Sequence, residues 1–301
     1  MNGVLIIDKP AGLTSHDVVN RVRRILGQRS VGHLGTLDPL ATGVLPLVIG
    51  NLTRLAQFYT ASEKVYEGVI RFGFATDTYD ADGDPATAPE SVEVTLEQCR
   101  ELATRFQGSI EQMPPPFSAK KIHGIPAYKL ARKHKEVPLT PVQVEIKEFE
   151  ILAVDSDLAT FRARVASGTY MRSVAHEMGQ KLGCGAHLAS LRRTALGEFD
   201  LAEAHSIDEV DSATKAQQLE NVFVHPRKLL PQFPSVTAND EMAARIRSGR
   251  TVNLPELSRA KQVKVFYGQR ELIAIATRVA GTLFHPKIVL ASEKPQPARQ
   301  T

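Results

Sequence analysis

Apolar positions fall into short runs and helical stripes along the chain. Gly3–Asp8 (GVLIID) is a continuous apolar run stopped at Lys9-Pro10, which predicts a buried strand. Thr14 and Ser15 stand where a helix N-cap belongs, and Asp17 adds negative charge to the first turn. Val18, Val19, Val22, Ile25 and Leu26 follow at helical spacing with Arg21, Arg23 and Arg24 between them, an amphipathic helix with a basic flank. Val44–Ile49 reads as a strand, Thr53–Ala61 as a short helix, and the β-former-rich Lys64–Gly73 as another strand. Thr95 and Gln98 make a capping box ahead of a helix running to about Phe106. Val142–Ile151 and Ala159–Ser167 predict a strand pair, and Met171–Leu182 a helix closed by Gly183.

Between these elements lie a loop dense in Gly and Pro, Gly32–Gly43, and an acidic loop, Asp77–Pro85. Residues 113–141 are too rich in proline and basic side chains for a core element and read as a long exposed excursion. Polar, proline-containing sequence at 211–234 predicts a domain boundary, dividing the chain into 1–231 and 232–291. The second part holds a helix near Asp240–Arg247 and β-rich runs at Gln262–Phe266, Glu271–Val279 and Lys287–Leu290, which fit a small barrel-like β domain. Residues 292–301 are expected to be a disordered tail.

Composition narrows the class. The 301 residues are 43% hydrophobic and 23% charged, as in ordinary globular proteins. No apolar run approaches the roughly 18 residues that span a bilayer, and the start lacks a signal-peptide layout, so no membrane and a cytoplasmic location are expected. Two cysteines cannot build a disulfide framework or a four-thiolate zinc site. The charge is unevenly divided: residues 232–301 carry 11 basic and 5 acidic side chains, leaving 26 and 28 for residues 1–231. A basic segment beside a nearly neutral body suits a polyanion.

There is no phosphate-binding P-loop, no dinucleotide fingerprint, and no His or Cys pattern at zinc spacing. The acidic loop fails as a calcium site, because Pro89 falls where a bidentate Glu is needed. The most unusual segment is Val31–Gly43 (VGHLGTLDPLATG). Its glycines permit close backbone approach, and Pro39 restricts Asp38 to an extended conformation. A carboxylate fixed on such a loop is a candidate catalytic group, although an Asp-Pro step by itself marks a turn more often.

The segment GHLGTLDPLATGVLPL resembles the central motif of the pseudouridine synthases, in their TruB-type branch acting on tRNA uridine-55. Asp8–Ser15 (DKPAGLTS) is similar to that family's first motif, and Lys64–Glu67 with Thr76–Gly83 to the segment bearing its active-site tyrosine. Pro114–Arg132 resembles the RNA-gripping excursion of its stand-alone bacterial members; Ser167–Ser173 and Leu191–Thr194 complete the set in the expected order.

The resemblance implies an α/β (α+β) fold with a mixed, mostly antiparallel central sheet, and a C-terminal PUA-like RNA-binding β-barrel domain. It implies an isomerase that needs no cofactor and no metal, since nothing is added to uridine or lost from it. Asp38 maps onto the catalytic aspartate, as nucleophile or as base at the sugar. Tyr66 maps onto the tyrosine that stacks on the base, and Arg172 onto the arginine paired with the aspartate. His33 would fill the gap left by a flipped nucleotide, Tyr170 and Leu191 would line the base pocket, and Lys9 would support its wall. Arg192, Arg193, Lys120, Lys121, Arg132, Lys133 and Lys135 are candidate phosphate contacts, and Asp80 a weaker site candidate. The expected partner is the T arm of tRNA, met by a monomer with no obligatory protein partner. The rival readings are a guide-RNA-dependent synthase subunit and a non-catalytic RNA-binding or refolding protein.

Overall fold

The computed structural model describes residues 1–117, 139–256 and 258–290, and residues 121–122 and 125–126 as backbone. In the larger body the elements run β1 (Gly3–Lys9), α1 (Ser15–Ile25), β2 (Val31–His33), β3 (Thr42–Ile49), a 3-10 helix (Gly50–Phe58), β4 (Lys64–Phe72), α2 (Leu96–Thr104) and β5 (Gly108–Gln112). They continue through the two-residue strands β6 (Lys121–Ile122) and β7 (Ile125–Pro126), then β8 (Val142–Asp155), β9 (Leu158–Val165), α3 (Met171–Leu182), β10 (Ala186–Leu196), β11 (Phe199–Asp200) and α4 (Ile207–Lys215).

Seven strands order as β1-β3-β10-β4-β9-β8-β5, with β2 beside β3 and β11 beside β10. Every pairing is antiparallel except β3 with β10, where Thr42 and Gly43 face Arg192 and Arg193. β1 is apolar throughout because both its faces are covered. Leu5 and Ile7 enter the cluster that also holds Val18 and Val22 of α1, Leu102 of α2, Val174 and Met178 of α3 and Val210 of α4; Val4 and Ile6 enter a second cluster on the opposite face. The expected caps are present: Thr14 and Asp17 form a capping box on α1, Thr95 and Gln98 another on α2, and Gly183 ends α3 at φ +77°.

The second body comprises β12 (Ser235–Ala238), α5 (Asp240–Arg247), β13 (Val252–Asn253), β14 (Gln262–Tyr267), β15 (Glu271–Ala280) and β16 (Leu283–Val289). They form a curled, barrel-like five-stranded sheet ordered β12-β14-β15-β16-β13. The preceding segment is more than a linker. α4 occupies part of it, and Val224, Leu229 and Leu230 are buried in one cluster with Leu52 and Leu55 of the first body and Phe266, Ile275 and Leu290 of the second. Lys264 Nζ is buried at that seam and donates to Leu229 O at 2.6 Å and Arg227 O at 3.0 Å, while the Arg227 guanidinium lies over the Phe266 ring.

Candidate active site

The catalytic-loop candidate is fixed by its neighbours on both sides of Asp38. Ser15, the first residue of α1, uses its hydroxyl to accept from Leu37 N–H at 2.8 Å and donate to Leu37 O at 3.1 Å. Lys9, at the end of β1, donates from Nζ to Pro39 O at 3.2 Å, and to Pro10 O and Leu13 O at 2.8 and 2.7 Å. From β10, the Arg193 guanidinium donates to Gly35 O at 3.0 Å and Thr36 O at 3.2 Å, and its Nε to Val44 O at 2.8 Å. Outside any strand ladder, the Gly35 and Thr36 carbonyls take a cation inside the fold as donor, and Pro39 O shares Lys9 with the Gly12 N–H at 2.9 Å. Gly43 sits at φ +98°, where a Cβ would stand 2.2 Å from Arg193 O; only glycine allows β3 to close on β10 there.

One expectation is thereby corrected. Arg193 is fully buried and spent on backbone carbonyls, so it is not placed to contact a phosphate, while Lys9, equally buried, donates to the loop from beneath as a supporting residue. Arg192 is partly exposed, and its two terminal nitrogens pair with the Asp8 carboxylate at 3.0 and 2.7 Å. Lys120, Arg132, Lys133 and Lys135 lie outside the described residues, as does the tail 292–301; Lys121 is described as backbone only, in β6.

Asp38 opens on a cavity of about 430 Å3, within the roughly 300–1,000 Å3 range of small-molecule sites. His33, Tyr66, Tyr170, Arg172 and Leu191 line the same cavity, so six residues scattered over 159 positions of sequence converge. Tyr66 on β4 and Arg193 on β10 are directly paired across the two central strands, and the alternation of each strand turns Lys64 with Tyr66, and Leu191 with Arg193, to one side. Tyr170 is fixed by Gln112 of β5, whose buried amide accepts from Tyr170 N–H at 2.8 Å and donates to Tyr170 O at 3.1 Å. Gln112 went unnoticed in the sequence, and Lys64 and Thr169 stood inside the matching motifs without a role: nothing in spacing or composition separates them from ordinary strand and loop residues.

Arg172 is the second residue of α3 and only 5% of its side chain is exposed. A helix N-terminus repels a cation. Here two carboxylates and two carbonyls offset that repulsion. Nε lies 2.9 Å from Asp38 Oδ2, Nη1 lies 3.4 Å from Asp80 Oδ2 and 3.1 Å from Thr78 O, and Nη2 donates to Phe117 O at 3.0 Å. The acidic loop is therefore a self-bonded turn whose Asp80 also belongs to the site. Asp80 Oδ1 accepts from Thr78 Oγ1 and Asp82 N–H, fixing its carboxylate toward Arg172.

Burial beneath the cavity pushes the Asp38 carboxyl above the usual carboxylate range; Arg172 opposes this and the Asp80 charge adds to it. The side chain nonetheless keeps 38% of its surface open, toward the cavity. Burial, with the nearby Arg193 and His16, pushes His33 down and favours the neutral imidazole. Among the described residues no group of His, Cys, Asp and Glu is arranged to hold a metal, and no helix is long and apolar enough to cross a membrane.

Comparison with known proteins agrees with this arrangement. Residues 23–171 match the TruB family pseudouridylate synthase N-terminal domain, and residues 172–230 the tRNA pseudouridylate synthase B C-terminal domain. The tRNA pseudouridine synthase B of Solibacter usitatus is 50% identical over 293 residues, covering 96% of this chain and all of that relative. Its Geobacter sulfurreducens counterpart is 41% identical over 249 residues, 83% of this chain and 82% of the relative. Among solved structures, a Cbf5-Nop10-Gar1 complex aligns with TM-score 0.69 at 25% identity, covering 96% of this chain and 85% of the other. An H/ACA RNP bound to a substrate RNA containing 2'-deoxyuridine shares the fold at TM-score 0.70 and 22% identity, with the same coverage. With both stretches of the larger body matched in order and half the residues of a full-length relative retained, this chain belongs to the TruB family of pseudouridylate synthases.

Proposed function

We propose that the chain converts uridine to pseudouridine at position 55 in the T arm of tRNA, acting alone and without guide RNA. The observation that carries this reading is the Asp38–Arg172 ion pair opening on a cavity of nucleotide size, beside the ring of Tyr66.

The target nucleotide leaves its stack, at a cost of a few kcal/mol, and enters the cavity between Tyr66 and Leu191. Stacking on an aromatic ring, worth about 1–3 kcal/mol per base, offsets much of that cost. His33 fills the gap left in the RNA loop. The ionised Asp38 meets the sugar at C1′ as the N1–C1′ bond breaks and its electron pair stays with the base. Whether the carboxylate bonds to C1′ or removes the C2′ proton to give a glycal, both routes need it charged, and Arg172 keeps it charged and aimed. The base turns and C5 bonds to C1′ as the carboxylate leaves that carbon or the C2′ proton returns to the glycal; the C5 proton then departs to solvent with Tyr66 adjacent, and N1, which kept the electron pair, takes up a proton from solvent. Atoms balance without a cofactor. The curled C-terminal sheet, with its excess of basic side chains, serves as a PUA-type RNA-binding domain, and the excursion 113–141 grips the T arm.

Purified chain and an unmodified tRNA transcript carrying 5-³H-uridine test this. One tritium is released per tRNA and the product maps to position 55; release only when guide RNA is added, or none while RNA still binds, overturns the proposal in favour of one of the two rivals. RNA affinity falls with added salt, with a log–log slope of about −0.7 to −0.9 per phosphate contact, because lysines and arginines displace counterions. A flat response removes the basic surface from the account.

The acid side of the rate profile reports Asp38. Its carboxyl is held above the ordinary range, so activity falls as pH drops through that raised value. Asp80→Asn removes a like charge and leaves Arg172 wholly to Asp38, so the acid limb moves to lower pH. Single-turnover rates across pH measure the shift, and a limb that stays in place shows Asp80 to be electrostatically idle.

A further inference from the structure

We infer that Tyr79 and His176 are positioning residues for this reaction: their stacked rings hold the 76–80 turn in the one shape that brings Thr78 and Asp80 together on Arg172. The inference rests on the isomerase reading above and goes further by naming what sets the geometry of the ion pair.

Arg172 and His176 stand four residues apart on α3 and so project from the same side of the helix. Both grip one turn. Arg172 takes the Thr78 carbonyl and the Asp80 carboxylate, and the His176 ring lies flat on the Tyr79 ring, centroids 3.7 Å apart and planes 9° apart. Tyr79 is the residue between those two Arg172 partners, and its φ is +66°. A tyrosine enters that left-handed region only when its surroundings hold it there. The reversal is what lets a carbonyl at 78 and a carboxylate at 80 face one guanidinium. On the other side of the turn the backbone is tied to β10, Leu188 N–H donating to Tyr79 O at 3.0 Å and Ala81 N–H to Leu188 O at 3.0 Å. Within the turn Thr76 Oγ1 donates to Asp80 O at 2.7 Å and Tyr79 N–H to Thr76 O at 3.3 Å; the ring stack adds a constraint that these do not supply, against α3. Neither ring lines the catalytic cavity; both line a separate groove with Met113, Ser173 and Glu177. Their effect on the reaction therefore passes through Arg172.

Single-turnover rates at saturating enzyme, equilibrium RNA binding and thermal melting, measured on full-length variants, test this. Tyr79→Ala and His176→Ala are each expected to slow the chemical step by about 10- to 100-fold, the scale of a reacting group displaced by about an ångström. RNA affinity stays within about twofold. Tyr79→Phe and His176→Phe, which keep the stack, stay within about threefold of the wild-type rate. In an Asp80→Asn background Tyr79→Ala adds little, because the route it acts through is already cut. Full rate in both alanine variants, weakened binding with unchanged chemistry, or fully additive losses overturn the inference. Should Tyr79→Ala fail to fold, the His176→Ala and His176→Phe pair decides on the same readouts. A wild-type chain that makes no pseudouridine refutes the isomerase reading instead, so the two failures are distinguishable.

Discussion

Asp38→Ala is expected to reduce pseudouridine formation to background, a loss of at least about 10⁴-fold, while RNA affinity stays within a few-fold. The asymmetry follows from where the carboxylate sits. It lines the cavity beside Arg172, and the loop around it is held by Ser15, Lys9 and Arg193 through backbone groups that the substitution leaves untouched. On the proposed mechanism binding energy comes from the surrounding surface, whereas the bond rearrangement passes through one carboxylate. Stopped or quenched single-turnover assays with 5-³H-uridine RNA, alongside filter binding, separate the two quantities. A variant that still turns over rejects Asp38 as the reacting group, and one that loses binding and chemistry together makes it a substrate anchor.

Arg172→Met is expected to damage both stability and activity. The side chain is nearly buried and holds Asp38, Asp80 and the carbonyls of Thr78 and Phe117 at once. Its removal leaves two carboxylates facing each other without a counter-ion and two carbonyls without a donor. Breaking a buried charge cluster in this way costs about 3–5 kcal/mol. Urea unfolding is expected to show that loss, and the single-turnover rate to fall with the unpaired Asp38. Arg172→Lys restores the charge but not the reach: one ammonium cannot serve partners spread around a planar fork, so activity stays low. Wild-type stability in Arg172→Met would mean that water replaces the guanidinium and that the pair is dispensable for folding.

Much of this arrangement was legible in the sequence, for identifiable reasons. The apolar run of β1, the Thr14 and Thr95 caps and the Gly183 stop are local signals, and each element lies where its signal stands. β10 was missed although it is central to the sheet. Its sequence, AHLASLRRTAL, shows no clean alternation, because the pairing with β4 is shifted between Leu188 and Ser190 and again between Arg193 and Ala195. The convergence on one cavity came from motif resemblance, since nothing in spacing relates Asp38 to Arg172. The error at Arg193 has a physical cause. A cation in a sequence reads as surface, yet a glycine-rich loop folded inward presents carbonyls at Gly35 and Thr36, and the Arg193 guanidinium is their donor. Asp80 was undervalued because a self-bonded acidic turn looks complete without its distant arginine.

The Arg193 clamp has a thermal consequence. One side chain from the middle of the sheet ties the segment ahead of Asp38 and the strand that follows it, so β3 and β10 cannot separate without releasing both. Loss of activity and melting on warming are therefore expected to coincide, the loop around Asp38 softening only as the sheet that holds it comes apart.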